Sequence, residues 1–251
     1  MENLVIGVES AQRMTQPDVE QLLARLSEAH AILSCNGHDD LTLGHMALRD
    51  PKGCGFWIKR ADAGMRELTG PTDYQLLAFD GKLISGSGRQ HSEWPIHSQL
   101  MQSRPDVNVS VHTHAEWPTL LSAFNSDMRA LTTDAGYLGK VTTLALEASH
   151  IDTPALAAEL AKAFGQKHAI LLKNHGVVFA GRTIEHATLI GYYLVRAARA
   201  ELRTRGVRDG TVAAELKCVA GRAAMMSNDR WLADSFACLA GRRPSYQRDR
   251  A

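Results

Sequence analysis

No stretch of this 251-residue chain is apolar for long enough to cross a bilayer, and Met1 to Ser10 lack the basic start and apolar run of a secretion signal. A soluble cytoplasmic protein is therefore expected. Cysteine is scarce, and Cys35, Cys54, Cys218 and Cys238 stand far apart with no paired spacing. That argues against a disulfide scaffold or a zinc ribbon and leaves reduced thiols. Net charge is also missing: 28 Lys+Arg against 27 Asp+Glu give a formal +1. No general field draws the chain to nucleic acid or to an anionic membrane, so an anionic small molecule must be recognised locally. There is no Pro/Gly/Ser-rich linker, low-complexity tract or solenoid-length repeat. With 45% hydrophobic residues, the chain can bury a full core. One domain over 1–251 is expected, with its core at about 18–205 and a helical extension at about 206–251.

Histidine is plentiful, at 11 residues. Two of them, His112 and His114, lie in Asn108-Val-Ser-Val-His-Thr-His114, where Val109, Val111 and Thr113 mark a β-strand. Side chains two apart on a strand share a face, so both imidazoles can reach one metal ion. A shuffled chain of this composition would give roughly half an instance of that spacing, so the pair needs further ligands to carry weight. An exposed polar strand face is the alternative reading.

The remaining pattern places those ligands. Asp18 to Ser34 carries Leu22, Leu23, Leu26, Ala29 and Leu33 at helical spacing, between Pro17 and Gly37. Strands are expected at His45–Leu48, Gly55–Lys59 and Gln75–Phe79, the last turning through Asp80-Gly81 into Lys82–Ser85. Pro95 suits the first turn of a helix ending near Ser103, which sets Glu93 at or just before its start. A helix-like run covers Pro118 to Phe124, and another helix Pro154 to Phe164. His168 to Leu172 reads as a buried strand, with Val177 to Ala180 as its continuation past Gly176. A long helix from Ile184 to Arg203 and two shorter ones complete the chain. The mixture implies a layered α/β domain on a mixed sheet.

His175, in Asn174-His175-Gly176, follows a buried apolar run at a glycine that permits a sharp turn, and is the third candidate ligand. Glu93, between a Gly-rich turn and a helix start, is the fourth; favouring the helix N-terminus is its alternative role. Three imidazoles and a carboxylate suit one divalent transition metal ion, Zn or Mn foremost and Fe or Co compatible. Glu93 can double as a base, making it the candidate catalytic residue.

The stretches Ser92-Glu93-Trp94-Pro-Ile-His97, Gln102-Ser-Arg-Pro-Asp-Val-Asn108, Val111-His-Thr-His114 and Leu171-Leu-Lys-Asn-His-Gly176 resemble, in order and spacing, the motifs of class II aldolase and adducin head domains. The resemblance runs from about Ala29 to Arg203. It implies a three-layer α/β/α domain with a central mixed, largely antiparallel sheet, assembled as a homotetramer with sites near subunit boundaries. It also implies metal positions at Glu93, His112, His114 and His175, a set that the adducin branch does not keep.

Relative to the sugar-phosphate aldolases of that family, the small donors suited to phosphate are altered. The first substrate loop reads Leu43-Gly44-His45, the second is replaced around Lys59-Arg60-Ala61, and His91-Ser92 precedes Glu93. His45, Arg49, Arg60, His91 and Ser92 are the candidate substrate-binding residues, the basic ones suited to a carboxylate. Solvated surface charge is the alternative for Arg49, Lys59 and Arg60. The departures resemble the branch that includes decarboxylases of hydroxy-substituted aromatic or heteroaromatic dicarboxylic acids. A metal-dependent lyase that decarboxylates such an acid through a stabilised enolate or phenolate is therefore expected. Aldol cleavage of a hydroxy-carbonyl sugar or sugar phosphate is the alternative. A metal-dependent oxygenase and a non-catalytic adducin-like assembly module also stay open.

Overall fold

The computed structural model describes residues 18–146, 150–207, 213–216 and 220–241. Met1 to Ser10, Cys218 and much of the expected extension fall outside them. In chain order, the helices are α1 (Val19–Leu33), α2 (Trp94–Ser103), α3 (Glu116–Ser122), α4 (Thr133–Gly136), α5 (Pro154–Phe164), α6 (Ile184–Arg205), α7 (Ala220–Met225) and α8 (Asp229–Gly241). The strands are β1 (His45–Arg49), β2 (Phe56–Lys59), β3 (Tyr74–Leu77), β4 (Leu83–Ser85), β5 (Val109–Thr113), β6 (Thr142–Leu144), β7 (Ala169–Leu172) and β8 (Gly176–Gly181).

The eight strands form one sheet in the order β4-β3-β2-β1-β5-β8-β7-β6. Every neighbouring pair is antiparallel except β6 and β7. Strand alternation sorts the core into two layers. Val109, Val111, Val177 and Phe179 face the layer containing α1 and α6, whereas Val178, Ala180, Ile170 and Leu172 face α2 and α5. This is the three-layer arrangement with a largely antiparallel mixed sheet. The helix ends follow local chemistry: Asp18 caps α1 through Glu20 N–H, Thr153 caps α5 through Leu156 N–H, and Pro154 opens α5.

Two packing details fix the centre. α6 approaches the sheet closely at Gly191, where an added Cβ would lie 2.7 Å from Leu33 and 2.8 Å from Phe179. The fully buried His38 joins the Gly191 carbonyl (3.0 Å) to Thr113 Oγ1 (2.8 Å), tying α6 to the end of β5. At the other end of the expectations, Val177 to Ala180 does not continue β7. The turn closed by His175 N–H on Leu172 O (3.0 Å), with Asn174 at φ 58°, reverses the chain into antiparallel β8. β6 and α4, absent from the sequence expectations, complete the order.

Among the described residues, no helix is long and apolar enough to cross a membrane. Cys35, Cys54 and Cys238 are free thiols.

Candidate metal centre

The centre forms where two chain turns meet one strand end. On β5, Ser110 and His112 point toward α2, opposite Val109 and Val111; His114 follows immediately after the strand's last residue, Thr113. His175 stands in the β7–β8 turn. Glu93 occupies the residue before α2, and its carboxylate makes no capping bond to the helix. It turns instead to accept the Ile151 N–H at 2.7 Å. One ligand atom from each of Glu93, His112, His114 and His175 lies within 4.8 Å of the others, so the four can hold a metal ion.

Gly176 makes that convergence possible. A Cβ there would stand 2.5 Å from Thr113 O and 2.8 Å from the His114 ring, so a larger residue would press His114 away.

The chemistry of the donor set fits a divalent ion. His112 Nδ1 lies 3.1 Å from Val177 O, and His114 Nδ1 lies 2.6 Å from Asp40 Oδ2. Both partners are acceptors, so each ring carries its proton on Nδ1 and turns an Nε2 lone pair inward. Both Nε2 atoms are buried without a hydrogen-bond partner, a costly condition that coordination to a metal would relieve. Glu93 Oε2 lies 3.3 Å from His112 Nε2, and Oε1 lies 3.7 Å from His175 Nε2.

Burial pushes the Glu93 carboxyl upward, but the neighbouring His112, the Ile151 N–H and His175 outweigh it and hold the group well below the usual carboxylate range. Burial, with His112 adding to it, lowers His175 to about 4 and shifts His114 in the same direction. Neutral His114 and His175 beside an ionised Glu93 are protonation states that suit a divalent ion.

Of the expected substrate residues, His45 and His91 come near this cluster. His45 pairs with His112 across β1 and β5, their rings 5.4 Å apart. His91 packs on His45 at 4.3 Å. Burial first, then neighbouring cationic and imidazole groups, keeps both far below the ordinary histidine range. Ser92 is exposed beside Glu93. Arg49 is not brought here: it lies four residues along β1 from His45, roughly 13 Å at strand rise. Its guanidinium donates to the carbonyls of Met101, Arg104 and Val107. Arg60 faces Asp62 (3.4 Å) and Asp73 (3.5 Å). Lys59 is no solvated surface charge but is fully buried.

Sequence reasoning assigned no role to Asp40, His97 or His150. Asp40 backs His114. His97, within the Ser92–His97 motif, bridges His45 Nδ1 (2.7 Å) and Ser110 Oγ (3.0 Å). His150, next to Ile151, sets its ring 6.3 Å from His175.

A mixed sheet between two helical layers, with a Glu/His3 cluster at a strand end, defines a layered α/β domain with a cluster that could hold a metal. The chain belongs to the class II aldolase and adducin N-terminal domain family, whose model matches residues 24–202. It is 26% identical over 185 residues to the meiotically up-regulated gene 14 protein of Schizosaccharomyces pombe, covering 72% of each chain. It is 28% identical over 139 residues to L-fuculose phosphate aldolase of Escherichia coli K12, covering 55% of this chain and 65% of that enzyme. The fold also matches L-fuculose 1-phosphate aldolase from Glaciozyma antarctica PI12, with TM-score 0.75, 24% identity and coverage of 88% and 89% of the two chains. Aldolases of this family are metal-dependent carbon–carbon lyases, the enzyme class expected from the sequence.

Proposed function

We propose that the protein is a metal-dependent carbon–carbon lyase that decarboxylates a hydroxy-substituted aromatic or heteroaromatic (di)carboxylic acid. Glu93, His112, His114 and His175 hold one divalent transition ion, zinc or manganese foremost. The observation that carries this reading is the pair of buried Nε2 atoms of His112 and His114, each turned inward by an acceptor behind its ring.

When bound, a divalent ion supplies positive charge to oxygen atoms beside the breaking carbon–carbon bond, where an electron pair is left behind. The protein's own groups do the rest. Glu93, ionised and within reach of two ligand imidazoles, accepts or returns the proton at a carboxylate oxygen. His45 and His91 line the adjacent wall and orient an anionic group. The buried setting limits water around the reacting carbon.

Aldol cleavage is the second reading, and identity to L-fuculose phosphate aldolase supports it. The two separate on product: carbon dioxide marks decarboxylation, an aldehyde marks aldol cleavage. His112→Ala or His114→Ala should remove bound metal and turnover together. Full turnover in a demonstrably metal-free variant would sink the lyase assignment.

A cytoplasmic homotetramer completes the proposal. Leu41 and Leu43, just after Asp40, and Leu120 and Phe124 beyond α3's start are large apolar side chains left exposed, as a subunit contact near the centre would require.

A further inference from the structure

Lys59 is buried to 0% exposure at the end of β2, yet its ammonium is fully engaged. Nζ donates to Thr42 O at 2.8 Å and Ala63 O at 2.7 Å, and lies 3.1 Å from His91 Nε2. Three acceptors around one ammonium use its three N–H groups. The lysine therefore joins the loop before β1, the loop after β2 and the segment entering Glu93. It has no donor left for a substrate.

Its effect must pass through His91. An ammonium only donates, so His91 Nε2 accepts and the ring proton sits on Nδ1. Among the described residues, His91 Nδ1 meets no protein hydrogen-bond partner. The ring packs 4.3 Å from His45, which in turn packs 5.4 Å from the ligand ring of His112. His45 is otherwise committed, through Nδ1, to His97. The Lys59 contact therefore leaves His91 with a donor to spare on this wall.

We propose that Lys59 is a positioning residue: by donating to His91 Nε2 it fixes the His91 proton on Nδ1, so that His91 donates to a carboxylate oxygen of a substrate held at the Glu93–His112–His114–His175 cluster. The inference rests on the lyase reading for its substrate, but not for the Lys59–His91 contact itself. It also explains why a buried cation replaces small donors at this place: the lysine orders a carboxylate donor rather than cradling phosphate.

Burial lowers Lys59 to about 7, against the opposing pull of Asp62 and Glu67, so pH 6 keeps the ammonium form. At that pH, two-bond nitrogen–proton correlation NMR on metal-free protein with labelled histidine reads the His91 tautomer, assigned by its loss in His91→Gln. The wild type should show Nδ1–H, and Lys59→Met should revert toward Nε2–H. The wild-type spectrum is decisive without any variant: an Nε2–H ring there overturns the proposal.

Zinc-loaded protein titrated calorimetrically with 3,4-dihydroxybenzoate and with catechol, which lacks the carboxylate, tests the second half. Lys59→Met and His91→Phe should weaken the benzoate on the order of tenfold while leaving catechol and zinc content unchanged. Equal weakening of both probes, or no change in either, overturns the positioning role. Failure of the wild type to take up zinc would overturn the lyase reading and the substrate half together, while the NMR result would still decide the contact.

Discussion

Asp40 Oδ2 stands 2.6 Å from His114 Nδ1, behind the ring and away from the cluster. The carboxylate fixes which nitrogen faces inward and raises that nitrogen's basicity. Asp40→Ala should weaken zinc affinity about 10–100-fold, and Asp40→Asn, which keeps an acceptor, should weaken it less. Competition with a chelator of known affinity measures both. Equal affinity in all three proteins would show that Asp40 plays no part in orienting the ligand.

Gly176→Ala places a methyl group against the Thr113 carbonyl and the His114 ring, and backbone on that side cannot yield easily. Stability should fall by about 1–3 kcal/mol in urea unfolding, with metal affinity falling alongside. Gly70→Ala is the comparison, because nothing lies within 4 Å of its added carbon. Matching behaviour of the two variants would refute the contact argument.

The buried histidines make the metal-free fold sensitive to acid. Burial lowers His30 to about 3, His38 to about 4 and His97 to about 3, whereas each titrates near its ordinary 6.5 in the unfolded chain. Between pH 6.5 and 4, the unfolded state therefore binds more protons, and stability falls as pH falls. Three such groups give a slope of roughly 4 kcal/mol per pH unit near pH 5. Urea midpoints measured from pH 7 to 4.5 should show a steep decline. A flat profile would contradict neutral burial of these rings.

Glu93→Gln preserves volume and leaves an oxygen for the Ile151 N–H, but removes the carboxylate charge and its basicity. Turnover should drop about 10²–10⁴-fold, and stability at neutral pH should fall, because the folded protein favours the ionised group. Metal content is measured on the same samples, so that lost turnover is not mistaken for lost metal. Wild-type turnover would exclude Glu93 from proton handling.

Elements governed by neighbours in sequence were readable from sequence alone. Pro154 to Phe164 carries its own cap and its own apolar face, and forms the expected helix. Alternation in Val109–Thr113 likewise set the face of His112. Features decided by distant partners were not readable. β6 is three residues long and exists through parallel pairing with β7. The reversal at Asn174 depends on a left-handed backbone at a non-glycine residue. Lys59 looked like surface charge because the carbonyls that receive it come from two other loop positions, Thr42 and Ala63. Within the site, the four candidate ligands were legible as a set, but Asp40 lies 74 residues from the histidine it supports and gave no local signal.

The Ile151 amide has one further consequence for the carboxylate it holds. If Glu93 swings fully away to carry a proton, it leaves a buried N–H without an acceptor, a cost of about 1–3 kcal/mol. Exchanging the proton at Oε2, with Oε1 kept on the Ile151 N–H, avoids that cost. The amide thus acts as a tether: it keeps one carboxylate oxygen in place and leaves the other facing His112.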